Sequence, residues 1–175
     1  MSIKTIFLDR DGVINKEKNY LYKIEDFEFI NGVFEACNYF IKLNYQIIII
    51  TNQSGISRGY YNNDDFKVLT NWMISEFQKN HVDILDIFHC PHLPNLNCNC
   101  RKPRPGMLLE AKLKHDIDME NSWMIGDKED DILAANSSGI TNTILVKSGH
   151  KIHKDSSKAK FILESILQSN QVING

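Results

Sequence analysis

Short apolar runs alternate along the chain with longer segments in which apolar residues recur at three- and four-residue steps. Compact runs rich in Ile, Val and Phe are typical of buried strands, and the longer period is typical of amphipathic helices. Strands are predicted at residues 6–8, 46–50, 84–89, 122–125 and 143–146. Helices are predicted between them, at residues 33–43, 62–80, 107–115 and 130–138. This alternation predicts an α/β fold, with a central parallel Rossmann-like sheet between two helical layers in a three-layer sandwich.

Local signals support several of these boundaries. The Asn/Asp cluster at 62–65 is suited to the start of the second helix, and Gly139 is suited to the end of the fourth. The predicted core stripe of the second helix consists of Phe66, Leu69, Met73 and Phe77. Residues 16–29 follow neither period and are expected to form an ordered loop, whereas residues 161–163 fit either a sixth strand or the start of a helix.

The composition is typical of a globular chain. With 175 residues, 42% hydrophobic and 24% charged, the chain can form one domain with a substantial core, which we expect to span residues 1–175. A net charge of −2 gives no general reason to expect nucleic acid or anionic membranes as partners. The N-terminal residues lack the pattern of a signal peptide, and no apolar run approaches the ~20 residues of a membrane span. We therefore expect a cytoplasmic enzyme or binding domain.

Polar side chains that suit metal and phosphate chemistry follow several predicted strands. Asp9 and Asp11 follow the first strand, Thr51 follows the second, and Asp127 follows the fourth. Since the carboxyl ends of parallel strands lie at one edge of a sheet, these groups can meet there, together with Lys102 from a loop. Carboxylates suit Mg²⁺, and a hydroxyl and an ammonium can hold the remaining oxygens of a phosphate. The set predicts phosphoryl transfer through an aspartyl phosphate, although the D-x-D-G motif alone is equally typical of a solvated turn.

Three of the four cysteines, Cys90, Cys98 and Cys100, lie close to His92 in the sequence. In a reducing compartment, thiols and an imidazole this close together favour a metal site over disulfides. Three thiolates and one imidazole form the Cys₃His ligand set of a structural Zn²⁺ site, in which no coordination position is left for chemistry. We expect Zn²⁺ to position Arg101 and Lys102, which directly follow the cluster. The alternative is a chance cluster of inert thiols.

Several motifs, in order along the chain, resemble those of the haloacid dehalogenase (HAD) superfamily of phosphatases. They are D-R-D-G-V-I-N, I-I-T-N-Q-S-G, C-R-K-P-R-P-G-M and M-I-G-D-K-E-D-D. More narrowly, F-E-F-I-N-G-V, T-N-Q-S-G-I-S-R-G and C-N-C-R-K-P-R-P-G-M-L resemble the D-glycero-D-manno-heptose 1,7-bisphosphate 7-phosphatase family, and the resemblance runs from Ile6 to about Gly149. The short loop C-P-H-L-P-N-L-N-C-N-C is also similar to that of histidinol-phosphate phosphatases.

The resemblance implies a role for each motif residue. Asp9 would attack the phosphorus, and Asp11 would protonate the leaving sugar oxygen and then activate the hydrolytic water. Mg²⁺ would be held by the Asp9 carboxylate, the Asp11 backbone carbonyl and Asp127, while Asp131 would orient waters around it. The residues that would stabilise the transferring phosphoryl group are Thr51 and Lys102. The residues that would contact the substrate are Glu17, Lys18, Asn19, Tyr20, Asn52, Gln53, Ser54, Arg101 and Lys128.

The implied activity is hydrolysis of the 7-phosphate of heptose 1,7-bisphosphate to give heptose 1-phosphate, in nucleotide-activated heptose biosynthesis for lipopolysaccharide or capsule. Histidinol-phosphate phosphatase is the alternative function within the superfamily. The alternatives from other functional classes are a non-catalytic zinc-containing binding module and a zinc-dependent nucleic-acid module. The intervals between motifs are too short for a large cap domain. Because no apolar seam suited to an interface is evident, we expect a monomer. The anomer at C1 stays open, as do the roles of Arg58 and Arg104, which suit either a second phosphate or the surface.

Overall fold

The computed structural model describes residues 2–174, and its elements follow the predicted order. The strands are β1 (Thr5–Leu8), β2 (Gln46–Asn52), β3 (Asp86–Cys90), β4 (Trp123–Gly126), β5 (Asn142–Val146) and β6 (Phe161–Leu163). The helices are α1 (Val33–Lys42), α2 (Asn63–Lys79), α3 (Gly106–His115) and α4 (Glu129–Ser138). Short 3₁₀ turns lie at Ile24–Asp26, Lys154–Ser156 and Ile166–Gln171. The segment 161–163, which fitted a strand or a helix, is therefore a strand.

The strands form one parallel sheet in the order β3-β2-β1-β4-β5-β6. This arrangement confirms the predicted α/β fold with its Rossmann-like sheet. The third strand begins two residues later than predicted and ends one residue later. Its ladder with β2 begins at the pair Ile48 and Asp86 and continues to the pair Asn52 and Cys90. The extension places Cys90 on the sheet itself, at the same edge as the polar strand ends.

Alternate residues of the central strands face two separate cores. Ile47 and Ile49 of β2 pack with residues of α1 and α2, including Phe40 and Met73. Ile48 and its neighbours on the other face of the sheet pack with residues of α3 and α4. Because both faces are covered, the interior positions of the central strands are apolar, as expected for a buried parallel sheet. The sheet is thus a rigid platform whose carboxyl edge carries the polar groups.

Local capping explains where α2 begins and where α4 ends. The Asn62 side chain accepts a hydrogen bond from the Asp65 backbone N–H, and the Asp65 carboxylate accepts one from the Asn62 backbone N–H. This capping box fixes the start of α2 inside the predicted Asn/Asp cluster. Gly139 ends α4 with φ of 97°, a left-handed conformation that glycine adopts at little cost.

Loops, and not a separate domain, cover the carboxyl edge of the sheet within residues 2–174. They are the segments 9–32 after β1, 53–62 after β2, 91–105 after β3 and 147–160 after β5. Among these residues no helix combines the length and the apolar character needed to cross a bilayer. The absence of a large inserted cap in this part of the chain agrees with the short intervals between the motifs.

Candidate active site

The carboxyl ends of three neighbouring strands bring the predicted catalytic residues together. Asp9, Thr51 and Asp127 follow or end β1, β2 and β4, which lie side by side in the sheet. The Asp9 backbone N–H donates a 3.0 Å hydrogen bond to the Ile125 carbonyl, which ties the end of β1 to β4. A cleft of about 280 Å³ opens above this edge, and Asp9, Asp11 and Asp127 line it.

Lys102 lies beneath this cleft and is almost completely buried, with 2% of its surface exposed. Its Nζ lies 3.0 Å from Asp9 Oδ1 and 2.7 Å from Asp131 Oδ1, and it donates a 2.8 Å hydrogen bond to the Ile50 carbonyl. Burial lowers the pKa of Lys102, but the charges of Asp131 and Asp9 outweigh burial and hold the pKa above its usual value. The ammonium is therefore a permanent positive charge beside the predicted nucleophile.

The carboxylates of Asp9, Asp127 and Asp131 are arranged as a cation site. One oxygen from each can be chosen so that all three lie within 4.8 Å of one another. Both oxygens of Asp131 are engaged, because Oδ1 pairs with Lys102 and Oδ2 accepts the backbone N–H groups of Asp127 and Lys128. Asp127 Oδ1, by contrast, is buried with no hydrogen-bond partner among the described residues. Asp9 and Asp127 therefore fit as Mg²⁺ ligands, and Asp131 fits as a supporting group.

The ionisation of these carboxyls also indicates a site that lacks positive charge. Burial, followed by the charge of Asp131, raises the pKa of Asp127 to about 7. Burial and Asp131 likewise raise the pKa of Asp9 well above its usual value, although Lys102 acts in the opposite direction. One lysine thus does not balance three buried carboxyls, and a divalent cation would supply the missing charge.

Asp11 has different surroundings from Asp9. Its Oδ1 accepts hydrogen bonds of 2.9 Å from Arg10 Nη2 and 3.0 Å from Asn15 Nδ2, and its Oδ2 accepts one of 3.1 Å from Gln53 Nε2. Burial raises the pKa of Asp11, but the charge of Arg10 and these hydrogen bonds outweigh burial and lower the pKa below its usual value. The side chain is therefore held in one orientation beside the cleft, with its carboxylate form favoured.

A hydrogen-bond relay that the motifs did not reveal supports Asp11. Gln53 Nε2 also donates a 2.8 Å hydrogen bond to Thr51 Oγ1, and Gln53 Oε1 accepts a short hydrogen bond from the Tyr61 hydroxyl. The Tyr61 ring stacks on Tyr22, with ring centres 5.3 Å apart. Gln53 is predicted to contact substrate and lines the cleft, and its amide also joins Asp11, Thr51 and Tyr61. Sequence pattern alone gave no signal for Tyr61, since it lies in a loop outside the motifs.

Most of the predicted substrate-contacting residues line the cleft. Those that do so are Glu17, Asn19, Tyr20, Asn52, Gln53, Ser54, Arg101 and Lys128, and Arg58 joins them. Lys18 does not line it, because its ammonium is held by the Asp26 carbonyl at 2.8 Å. Asn52 also contacts Lys102. Its side chain accepts a 3.1 Å hydrogen bond from the Lys102 backbone N–H and donates one of 3.2 Å to the Lys102 carbonyl. Asn52 therefore fixes the backbone from which Lys102 reaches Asp9.

The Cys/His cluster converges on one point, as the sequence predicted. Ligand atoms of Cys90, His92, Cys98 and Cys100 all lie within 4.8 Å of one another. Burial opposes ionisation of Cys98, but the Arg101 backbone N–H and the neighbouring cluster groups outweigh it and lower the Cys98 pKa to about 6. Tetrahedral bonds of about 2.3 Å to sulfur require ligand atoms roughly this close, so the four side chains fit a Zn²⁺ ion.

Hydrogen bonds hold the loop that carries the cluster to the residues on either side of Lys102. Arg101 Nη1 donates a 3.3 Å hydrogen bond to the His92 carbonyl, and the Gly106 N–H donates one of 3.0 Å to the Asn99 carbonyl. Arg104 donates to the Cys98 carbonyl and, at 2.6 Å, to Asn97 Oδ1. The Arg104 guanidinium therefore braces this loop and does not line the main cleft.

Comparison with known proteins places the chain in a family. Residues 99–169 match the family model described as HAD-hydrolase-like. The chain is 53% identical over 151 residues, covering 86% of it and 87% of the relative, to D-glycero-alpha-D-manno-heptose-1,7-bisphosphate 7-phosphatase of Campylobacter jejuni. The chain belongs to this family of HAD-like phosphatases. As a member it is an enzyme that hydrolyses phosphoric monoesters.

Two further members extend the similarity over nearly the whole chain. D-glycero-beta-D-manno-heptose-1,7-bisphosphate 7-phosphatase of Pasteurella multocida is 43% identical over 179 residues, covering 98% of this chain and 97% of the relative. The crystal structure of the D,D-heptose 1,7-bisphosphate phosphatase from B. bronchiseptica, complexed with magnesium and phosphate, superposes with a TM-score of 0.84. It is 26% identical, and the match covers 97% of both chains. Both matches therefore span almost the full length of this chain.

Proposed function

We propose that this phosphatase removes the 7-phosphate of D-glycero-D-manno-heptose 1,7-bisphosphate and releases heptose 1-phosphate. The supporting observation is that Asp9 and Lys102 lie at one sheet edge with Asp127 Oδ1, which has no hydrogen-bond partner among residues 2–174. The chain is also 53% identical to an enzyme named for this substrate. In this role the protein would act in the cytoplasm, in the formation of nucleotide-activated heptose for a surface glycan.

In the first chemical step a carboxylate oxygen of Asp9 forms a bond to the phosphorus, and the bond from phosphorus to the sugar oxygen breaks. Asp11 supplies the proton that the leaving oxygen takes up. Asp11 Oδ1 accepts hydrogen bonds from Arg10 and Asn15, whereas Oδ2 accepts only that from Gln53, so Oδ2 is the oxygen better suited to carry that proton. The developing charge on the phosphoryl oxygens is met by the buried Lys102 ammonium and the Thr51 hydroxyl.

In the second step Asp11 takes a proton from water, whose oxygen attacks the phosphorus and breaks the bond to Asp9. The lowered pKa of Asp11 favours the carboxylate form that this step needs, and the proton taken up here is the one that Asp11 gives to the leaving oxygen in the next turnover. Orthophosphate leaves and the Asp9 carboxylate is regenerated. Mg²⁺ would be held by Asp9, the Asp11 backbone carbonyl and Asp127, with Asp131 supporting them, and would neutralise charge on the phosphoryl group.

A second phosphate on the sugar would find positive charge at the cleft wall. Arg58, Arg101 and Lys128 line the cleft. These side chains would receive the 1-phosphate, while the carboxylate end of the cleft holds the 7-phosphate that reacts. Histidinol phosphate would instead present a cationic amine and an imidazole to these basic side chains, so the cleft wall favours the bisphosphate.

For the anomer we propose α at C1. The chain is 53% identical to the enzyme named for the alpha substrate and 43% identical to one named for the beta substrate. We further propose that Zn²⁺ occupies the site formed by Cys90, His92, Cys98 and Cys100, where it holds the loop and performs no chemistry. The monomeric state also stays a prediction, which sedimentation of the purified protein would test.

The deciding experiment measures phosphate release by the purified enzyme from the α and β anomers of the bisphosphate and from histidinol phosphate. We expect the highest kcat/KM with the α anomer and no turnover by Asp9→Asn, which should keep the fold intact by circular dichroism. A preference for histidinol phosphate would overturn the substrate assignment. Full activity of Asp9→Asn would overturn the aspartyl-phosphate mechanism, and release from none of the three substrates would favour a binding module.

A further inference from the structure

The loop after β5 turns back over the carboxylate site, although none of the catalytic motifs includes it. The Lys147 backbone N–H donates a 3.0 Å hydrogen bond to the Leu163 carbonyl, which holds the start of the loop against β6. Ser148 Oγ then donates a 2.7 Å hydrogen bond to the Gly12 carbonyl, in the turn that follows Asp11. The loop therefore connects the β5 end of the sheet directly to the turn after the predicted nucleophile.

Gly149 lets this loop approach the site closely. A Cβ added at Gly149 would overlap the Asp127 carboxylate, and one added at Gly12 would overlap the same group. Gly12 also has φ of +86°, a conformation that a side chain would strain. The two glycines therefore pack against each other and against Asp127 Oδ2, and this close approach fixes where the next residue, His150, is placed.

His150 makes two contacts with a single oxygen of Asp127. Its backbone N–H donates a 3.0 Å hydrogen bond to Asp127 Oδ2, and its Nδ1 lies 2.6 Å from the same oxygen. The Asp127 side chain is 1% exposed and that of His150 is 37% exposed, so the imidazole forms part of the cleft wall. The other carboxylate oxygen, Oδ1, is buried and has no hydrogen-bond partner among residues 2–174.

We propose that His150 is a positioning residue for the Mg²⁺ site, which acts through Asp127 and sets the affinity for the cation. By engaging Oδ2 twice, His150 prevents rotation of the carboxylate and leaves Oδ1 as the oxygen that faces the cation. Hydrogen bonds of this kind to a ligating carboxylate typically change metal affinity by about 10–100-fold when they are removed. Because the backbone N–H remains in any variant, the side chain should account for the lower end of that range.

The test is a calorimetric titration of Mg²⁺ into the zinc-containing enzyme without any sugar phosphate. We expect His150→Ala to bind Mg²⁺ about tenfold more weakly than the native enzyme. His150→Asn places an amide N–H near the position of Nδ1 and should recover affinity to within about threefold of native. His150→Gln reaches to the position of Nε2 instead and should resemble His150→Ala.

His153→Ala is the matched control, because it removes an exposed histidine from the same loop. It should bind Mg²⁺ as the native enzyme does. The Mg²⁺ concentration that gives half-maximal phosphate release should shift in the same ratios as the calorimetric constants. Since the titration uses no substrate, its result is independent of which sugar phosphate the enzyme hydrolyses, and failure of the proposed function would leave it unaffected.

Equal Mg²⁺ affinity in His150→Ala and native enzyme would overturn the proposal. So would an Asn variant no better than Ala, since the donor at the Nδ1 position would then be irrelevant. A changed KM for substrate with unchanged Mg²⁺ affinity would assign His150 to substrate contact and also overturn it. If His150→Ala does not fold, as judged by its melting curve, the Asn and Gln variants decide the matter, and equal affinities in those two would refute the assignment.

Discussion

The Lys102 Nζ lies 3.0 Å from Asp9 Oδ1, although Asp9 follows the first strand and Lys102 lies in the loop after the third. Lys102 reaches the nucleophile from the loop after the Cys/His cluster, and its backbone is held by the Asn52 side chain. The same ammonium pairs with Asp131 at 2.7 Å. One buried cation is thus shared between the proposed nucleophile, Asp9, and the carboxylate proposed to support the metal site, Asp131.

Replacing Lys102 by Met should therefore reduce stability as well as activity. Removal of one partner from a buried charge pair typically costs about 3–5 kcal/mol, because the remaining charges are left uncompensated. We expect a loss of this order in urea unfolding of the zinc-containing proteins without added Mg²⁺, together with loss of phosphate release. Lys79→Met, which removes an exposed ion pair with Glu76, is the control and should change stability little. Equal stability of the two variants would contradict the shared-cation interpretation.

The sheet and the strand-end residues were predictable because they depend on local sequence. Apolar runs identify the strands, and parallel pairing then places Asp9, Thr51 and Asp127 at one edge regardless of the loops between them. The Cys₃His set was predictable because its members lie close together in the sequence. In each case a short-range pattern was enough to indicate which groups would meet.

The supporting contacts could not be predicted because they depend on loop paths. Tyr61 reaches Gln53 only through the turn after β2, and His150 reaches Asp127 only because two glycines allow a close approach. Loop conformation depends on tertiary contacts that leave no periodic pattern in the sequence. Motif resemblance predicts that Asn52 and Gln53 contact substrate, and both line the cleft, but it gave no signal for their further contacts to Lys102 and Asp11.

Tyr61→Phe tests the relay that holds Asp11. Loss of the hydroxyl removes the donor to Gln53 Oε1, so the Gln53 amide is free to turn away from Asp11 Oδ2. We expect kcat to fall by roughly tenfold, a fraction of the 10²–10⁴ that a general acid contributes, while KM changes less. Steady-state phosphate release at saturating Mg²⁺ would measure both constants.

Tyr39→Phe is the control for Tyr61→Phe. The Tyr39 hydroxyl, in α1 and outside the cleft, also donates a hydrogen bond, of 3.0 Å, to the Ile173 carbonyl. Each variant should lose about 0.5–1.5 kcal/mol of unfolding free energy, the usual net contribution of one hydrogen bond. Only Tyr61→Phe should lose kcat. An equal kcat in both variants would show that the relay does not affect the acid.

Cys98→Ser tests whether the Cys/His cluster binds zinc and thereby positions Lys102. The hydroxyl is a poor substitute for a thiolate, so we expect bound zinc to fall well below the ~1 equivalent of a structural site, with a parallel loss of phosphate release. Elemental analysis of the purified proteins would measure the metal. Cys37→Ala, which changes a buried thiol outside the cluster, should lose stability but keep zinc. A zinc-free native enzyme with full activity would refute the structural role.

Asp86 gives a prediction about stability and pH at the opposite edge of the sheet. Its Oδ2 lies 2.8 Å from Lys114 Nζ and 2.6 Å from His115 Nε2. Burial raises the pKa of Asp86, but hydrogen bonds from Lys114 and His115 outweigh burial and lower the pKa below its usual value. Because the folded pKa lies below the unfolded one, this carboxylate stabilises the fold above the unfolded pKa of about 3.9.

That stabilisation is lost as the pH falls through the lowered folded pKa, when Asp86 becomes protonated in both states. We therefore expect native protein to exceed Asp86→Asn in unfolding free energy near pH 6, and the difference to shrink towards about pH 3, below the ordinary Asp pKa. Urea unfolding of both proteins across this range measures the difference directly. A gap that stayed constant from pH 6 to pH 3 would mean that Asp86 acts through its shape and hydrogen bonds, and not through its charge.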